Sequence, residues 1–342
     1  MKPDPFDVGT VLETGLDPTA IETDVAIVGA GPCGLYAAYY AGFRGLSVTI
    51  IDALSQPGGQ MAALYPEKQV YDVAGFPAVK AQDLVDALVE QAAQAKPQYL
   101  LGHTALTAKE CQDVVTLTTD RGTTITAGGV VIAGGIGRFT PRVLPSGSEY
   151  EGRGLRYFVP ELSDLAGADV LVVGGGDSAV DWALSLEPLA RSVTLAHRRH
   201  RFRAHERSVD LLRASSVGVL TPFEVHEVHG DPTIEEVELV NVETGHTEVL
   251  ATTAVVAALG FLADLGPVLT WGLELRNRQI SVDRSMSTNL RRVFAAGDIA
   301  EYAGNVNLIS VGFGEAALAI NNLAPLVRSE LPVVPGHSSD AA

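Results

Sequence analysis

The sequence predicts an α/β chain of two parallel-sheet domains, the second inserted into the first. Three observations carry that expectation. A strand, a glycine turn and a helix follow one another near the N-terminus and again in mid-chain. Each unit is answered later by an apolar strand ending in glycine, Val130-Val131-Ile132-Ala133-Gly134-Gly135 for the first and Val255-Val256-Ala257-Ala258-Leu259-Gly260 for the second. A third such strand, Val293-Phe294-Ala295-Ala296-Gly297-Asp298, comes after the second unit is complete and reads as the last strand of the first.

In chain order, residues 1–20 form an acidic tail with Pro and Gly, and no basic stretch leads into an apolar one, so a secretory signal is not expected. Val25-Ala26-Ile27-Val28 is the short apolar run of a buried parallel strand. Gly29-Ala30-Gly31-Pro32-Cys33-Gly34 follows, then a helical apolar stretch from Leu35 to Ala41, then a strand from Ser47 to Ile51 ending at Asp52. The chain is uncharged from Val25 to Phe43, long enough to raise a membrane span. Its glycines and Pro32 fit a buried strand, a turn and a buried helix in succession. No membrane segment is expected, and the chain reads as cytoplasmic.

A lone GxGxxG is weak evidence. This one follows a strand, opens a helix and is followed by a carboxylate at the next strand end, which is the context of a dinucleotide site. Gly29 permits the tight turn, Gly31 lets the backbone approach a pyrophosphate, and Gly34 lets helix and strand pack. Phosphates favour the helix N-terminus, where amides are unpaired and the dipole is positive. Asp52 can accept hydrogen bonds from ribose hydroxyls.

The pattern returns at Val170–Val173, Gly174-Gly175-Gly176-Asp177-Ser178-Ala179, a helix from Val180 to Leu186 and a strand from Ser192 to Ala196. The interval from Gly29 to Asp52 equals that from Gly174 to His197, so His197 stands where the ribose-binding acid stood. Arg198 and Arg199 follow it, with Arg203 close behind. Losing the acid removes a repulsion against a 2′-phosphate, and arginines supply forked donors for one. The second site therefore reads as built for NADP(H) through Gly174, Gly176, Asp177, Ser178, Ala179, His197, Arg198, Arg199 and Arg203. A solvated basic loop is the plainer alternative. A metal site of His197, His200 and His205 is disfavoured because the flanking arginines repel a cation. Asp298, ending its strand, can accept a hydrogen bond from a polyol chain, cap a helix, or both.

Composition agrees. The 342 residues suggest about two domains. Hydrophobic residues make up 46% and charged ones 19%, so a sizeable core can form. A net charge of −17 argues against a nucleic-acid binder. Cys33 and Cys111 are the only cysteines and provide neither a CxxC nor a zinc cluster, and no metal is expected. The domains are placed at 1–150, 151–265 and 266–342, the first and last being parts of one. Two dinucleotide sites on one chain imply a relay, one holding a flavin and the other a nicotinamide.

These residues resemble the two-dinucleotide-domain flavoprotein reductases, and specifically ferredoxin–NADP reductases of the thioredoxin-reductase-like type. The most specific stretches are Gly58-Gly59-Gln60, Ala63 to Lys68, Tyr71 to Pro77, Gly174 to Leu184, Phe202-Arg203-Ala204-His205-Glu206 and Gly312-Phe313-Gly314-Glu315-Ala316. The resemblance implies two Rossmann-like domains, the NADP(H) domain inserted into the FAD domain, in a homodimer with non-covalent FAD. It places Asp52, Gln60, Tyr65, Ala105, Phe139, Asp298 and Ser339 at FAD-contacting positions, Ala105 only with a gap. Tyr65 would stack on one face of the isoalloxazine and the other subunit's His337 on the opposite face. Thioredoxin reductases carry a CxxC just before the second glycine motif. Here that region reads Tyr157-Phe158-Val159-Pro160-Glu161-Leu162-Ser163, so electrons must leave to an external acceptor. The expected activity is electron transfer between NADP(H) and ferredoxin or flavodoxin through FAD, with no catalytic side chain. An NADPH oxidase or quinone reductase, or a non-catalytic flavin sensor, is the alternative. Domain rotation is expected about the linker-like Pro145-Ser146-Gly147-Ser148, and Arg138, Arg142, Arg291 and Arg292 are candidates for docking an acidic partner.

Overall fold

The computed structural model describes residues 20–336. They fall into two compact units, one made of the described residues up to Ala63, Gln69–Arg138 and the chain from Ala263 on, the other of Leu64–Lys68 and Phe139–Leu262.

In the first unit the parallel strands run in the order Gln98–Leu101, Val48–Asp52, Ala20–Val28, Thr124–Ile132, and Val293–Ala295 pairs in parallel with the last of these. Thr124–Ile132 has two halves. Thr124–Ala127 pairs on one side with the antiparallel strand Val114–Thr119, and Val130–Ile132 pairs there with Val293–Ala295. Gly128 and Gly129 divide the halves because the helix Ile309–Val327 crosses there. A Cβ on Gly129 would lie 2.3 Å from Leu323 Cδ1, and one on Gly128 2.8 Å from Val327 Cγ1. The helix Pro32–Phe43 buries Gly34, Leu35, Ala37, Ala38 and Ala41, which accounts for the uncharged run from Val25. Among the described residues no helix is long and apolar enough to cross a membrane.

The second unit has a five-stranded parallel sheet in the order Leu155–Arg156, Ala254–Ala257, Asp169–Val173, Ser192–Ala196, Gly218–Leu220. Side chains alternate between the faces of a strand. Leu171 and Val173 enter one core with Val255 and Ala257, while Val170 and Val172 enter another with Ala254 and Val256. Both faces are covered, as the unbroken apolar runs require. An antiparallel sheet, Phe223–His229, Glu236–Asn241 and Thr247–Ala251, closes the first of these cores.

Apart from the excursion of Leu64–Lys68 into the second unit, the chain divides between the units after Arg138 and after Leu262, where the sequence places the boundaries after residues 150 and 265. The earlier crossing has a packing cause, since Leu144 and Tyr150 belong to the second unit's core. Pro145–Ser148 is correspondingly no linker. Ser146 Oγ accepts the Val228 amide at 3.3 Å, and a Cβ on Gly147 would meet Val228 at 2.8 Å.

Candidate functional site

The two glycine turns have the same construction. Gly29 has φ +113°, and a Cβ there would stand 2.5 Å from the carbonyl oxygen of Ala133. Gly174 has φ +155°, and its Cβ would stand 2.4 Å from the carbonyl oxygen of Ala258. Each first glycine thus passes under the later strand end that echoes it in sequence. The third position packs helix on turn. A Cβ on Gly34 would lie 1.8 Å from the Gly29 oxygen, whereas Ala179 fits its place with no exposure. The middle glycines differ from both. Gly31 would meet nothing nearer than Gly59 Cα at 3.9 Å, and Gly176 nothing within 4 Å. The protein itself does not require glycine there, and the open space lies at a helix N-terminus with no acidic residue in the first turn at Gly31. An approaching phosphate fits that space.

Asp52 ties the first turn together. Its Oδ2 accepts the Ala30 amide at 2.6 Å and its Oδ1 the Leu54 amide at 2.7 Å. Burial nevertheless pushes its carboxyl above the ordinary range, against the pull of those amides. Each oxygen keeps a lone pair for a hydroxyl donor. Gln60, half-buried in the helix Gly59–Leu64, brings Nε2 to 3.4 Å from where a Gly135 Cβ would be. The Ala105 methyl is buried in the sheet core, leaving its backbone as the part able to meet a ligand. Asp298 is half-buried, its carbonyl accepts Gln279 Nε2 at 2.6 Å, and its carboxylate has no hydrogen-bond partner among the described residues. Burial, then Glu315, then Asp72, raise its pKa. The side chain of Phe139, and His337 and Ser339, lie outside the described residues.

Tyr65 is placed by its own segment. Leu64–Lys68 groups with the second unit, and the Tyr65 ring packs against the core of Val170, Val172 and Trp182. Lys68 Nζ lies 5.5 Å from the ring centroid and pairs with Asp181 at 2.6 Å. Glu67 Oε2 accepts the Leu162 amide at 2.7 Å.

At the second turn, His197 is an internal prop. It is 7% exposed, and its ring stacks on Phe202 with centroids 5.2 Å apart. A Cβ on Gly175 would fall 2.2 Å from that ring, so Gly175 is glycine because His197 covers it. Burial, with Arg199, Arg203 and Arg198 nearby, lowers the imidazole pKa and keeps it neutral. Nε2 faces the Arg201 carbonyl at 3.3 Å, which assigns the proton to that nitrogen. The basic loop is pinned at both ends. The Arg203 amide donates to the Gly175 carbonyl at 2.7 Å, and the His205 amide to Asp177 Oδ1 at 2.9 Å. Arg198, Arg199 and Arg203 are exposed and, among the described residues, form no ion pair. Ser178 is exposed beside them.

One expectation needs correction. Arg292 cannot serve a docking patch. It is 3% exposed, with Nη1 donating to the Gly128 carbonyl at 2.7 Å and Nη2 to Asp113 at 2.8 Å. Arg138, Arg142 and Arg291 are exposed. The one trio of metal-capable side chains among the described residues is Glu227, His229 and Glu238, not the loop histidines. Two glutamates facing each other across strands are an ordinary feature of an acidic surface.

Sequence reasoning missed Tyr302, and quoted Gly175, Asp72 and Glu315 without a role. Glu315 carried a signal, being the lone charge in the helix Ile309–Val327.

Cys33 sits at the second helical position, where a thiol is ordinarily acidified. Here burial, with Asp298 and Glu315 facing it, pushes the thiol up to about 12. At pH 8 an aromatic disulfide reagent is therefore expected to titrate the exposed Cys111 in the native protein and leave Cys33 until denaturation. Rapid reaction of both thiols would show a reactive Cys33.

The model of the pyridine nucleotide-disulphide oxidoreductase family matches residues 23–319. The chain belongs to that family. Within it, the chain is 58% identical over 313 residues to a ferredoxin–NADP reductase of Frankia alni, covering 92% of this chain and 98% of that protein. It is 55% identical over 327 residues to a ferredoxin–NADP reductase of Nocardioides sp., covering 94% and 98%. Among solved structures it resembles the T. acidophilum thioredoxin reductase, with a TM-score of 0.80 at 26% identity over 89% of this chain and 98% of that one. This family member has the thioredoxin-reductase-like two-domain flavoprotein fold, with no CxxC in its sequence.

Proposed function

We propose that the protein is a ferredoxin–NADP reductase that moves electrons between NADP(H) and ferredoxin or flavodoxin through FAD, as a cytoplasmic homodimer. The observation that carries the reading is the second turn. Three exposed arginines that form no ion pair among the described residues hang from a glycine turn whose middle glycine faces open space. The relatives named ferredoxin–NADP reductase, aligned over nearly their whole length, support the acceptor.

FAD fits the first turn. Gly29, Gly31 and Gly34 admit its pyrophosphate, Asp52 accepts from the ribose, and Asp298 offers the polyol a carboxylate with no donor among the described residues. Gln60, Tyr65, the Ala105 backbone, Phe139 and Ser339 complete the contacts, with His337 of the second subunit covering the flavin. When bound, FAD supplies hydride exchange with nicotinamide and single-electron exchange with an iron–sulfur partner. Gly174, Gly176, Asp177, Ser178 and Ala179 hold the NADP(H) phosphates, His197 props the loop, and Arg198, Arg199 and Arg203 take the 2′-phosphate. The protein binds and orients, and no side chain acts as acid, base or nucleophile.

The test is ferredoxin-dependent cytochrome c reduction by NADPH across a salt series. With −17 on the chain and an acidic partner, overall fields repel. Exposed arginines then attract only locally, at the ~8 Å range set by physiological salt. The rate should rise from very low salt and then fall. Arg138→Glu with Arg142→Glu should slow ferredoxin turnover and spare ferricyanide. A salt-independent rate, or equal losses with both acceptors, would point to a small-molecule acceptor.

A further inference from the structure

We propose that Glu315 is the positioning residue of the flavin site, holding the Gly297–Asp298 turn so that the Asp298 carboxylate meets the polyol chain. The inference rests on the reading of Asp298 as a flavin contact.

Glu315 is 4% exposed, in a helix that carries no other charge. A buried carboxylate is costly unless its oxygens are satisfied. Both are, by two groups near Asp298. Oε2 accepts the Gly297 amide at 2.6 Å, and Oε1 contacts the Tyr302 hydroxyl at 2.6 Å. Burial, then the bond to Glu315, push the Tyr302 hydroxyl up to about 12, so it keeps its proton and donates. With a donor facing each oxygen, the Glu315 side chain accepts on both sides.

The turn is also closed from behind. Gly297 has φ +79°, and a Cβ there would lie 2.8 Å from Cys33 Sγ. A Cβ on Gly312, one helical turn before Glu315, would lie 2.3 Å from the same sulfur. Cys33 on one side and Glu315 on the other leave the Gly297 amide one orientation, and that orientation sets the next residue, Asp298.

Three acidic groups share this corner, and two are occupied. Asp72 Oδ2 accepts the Ile309 amide at 2.8 Å, and its carbonyl accepts the Ser310 hydroxyl at 2.8 Å. Glu315 is bonded as above. Asp298 alone lacks a donor among the described residues, and burial, then its two acidic neighbours, raise its pKa. A chain of hydroxyls answers that shortage where a further anion would not.

The experiment measures FAD dissociation from the full chain by flavin fluorescence, with apoprotein melting alongside. Glu315→Ala is expected to weaken FAD about tenfold or more, the worth of a hydrogen bond to a charged group. Glu315→Gln can still accept from Gly297 and donate to Tyr302, and should stay within about threefold of the wild type. Asp298→Ala should weaken FAD, and adding Glu315→Ala to it should cost nothing more, because both act through one contact. Additive losses, a Glu315→Gln defect as large as that of alanine, or wild-type affinity in Glu315→Ala overturns the positioning role alone. Wild-type affinity in Asp298→Ala overturns the flavin reading beneath it. If Glu315→Ala does not fold, Tyr302→Phe carries the same cycle. A loss that vanishes in the Asp298→Ala background supports the proposal, and no loss or an additive one overturns it.

Discussion

Gly34→Ala is expected to leave little folded protein, whereas Gly31→Ala is expected to fold normally and lose its flavin. The two methyl groups differ in what they meet. At Gly34 the added carbon would sit 1.8 Å from the Gly29 carbonyl oxygen, a backbone atom that cannot turn aside. Helix and strand must separate, and the disrupted packing belongs to the class of substitutions that cost more than about 4 kcal/mol. At Gly31 the backbone is ordinary, with φ −72°, and the methyl meets nothing nearer than 3.9 Å. Replacing glycine there even restricts the unfolded chain, which favours folding slightly. The methyl instead fills the space left for a phosphate, and losing charge-assisted bonds to backbone amides should weaken FAD by about two decades. Apoprotein melting and FAD titration of the two variants check this. Wild-type FAD affinity in Gly31→Ala would take the phosphates out of this turn. The second turn should behave alike, with Gly174→Ala failing against the Ala258 oxygen and Gly176→Ala folding but binding NADP(H) poorly.

The same contrast explains what was legible in the sequence. A glycine demanded by backbone contact leaves its identity in the chain, so Gly29, Gly34 and Gly174 could be read with their roles. Asp52 was legible for a related reason, since the end of the second strand faces the turn wherever strand, turn and helix have these lengths. What depends on packing between distant segments was not legible. The division at Arg138 comes earlier than residue 150 because Leu144 and Tyr150 fill a core whose other members come as late as Ala257. Arg292 looks like Arg291 in sequence, and both reach Asp113, yet one is buried with its guanidinium on the Gly128 carbonyl and the other is exposed. His197 was found by position, but its burial under Phe202 follows from Gly175 lacking a side chain.

Replacing Arg198 and Arg199 by alanine together should raise KM for NADPH by two decades or more and leave KM for NADH nearly unchanged. The argument begins with what the arginines do not do. Neither forms an ion pair among the described residues, while His200 between them and Arg201 is engaged by Glu243 at 3.1 Å. Removing them therefore costs the fold little, since exposed charges without partners contribute little to stability. Their place is fixed by others, with the loop tied to the turn through the Arg203 amide and propped by the neutral His197 ring. A dianionic 2′-phosphate would meet forked donors held in advance, at roughly 1.5–3 kcal/mol for each hydrogen bond to a charged group. NADH, with a 2′-hydroxyl there, has no such bond to lose. Arg198→Lys with Arg199→Lys should recover only part of the NADPH affinity, because an ammonium keeps the charge and loses the planar fork. Steady-state kinetics with both coenzymes, read as KM against kcat, make the check. Equal rises for NADPH and NADH would mean that the arginines act on the common part of the coenzyme, and NADP(H) selectivity would have to be sought elsewhere in the second unit.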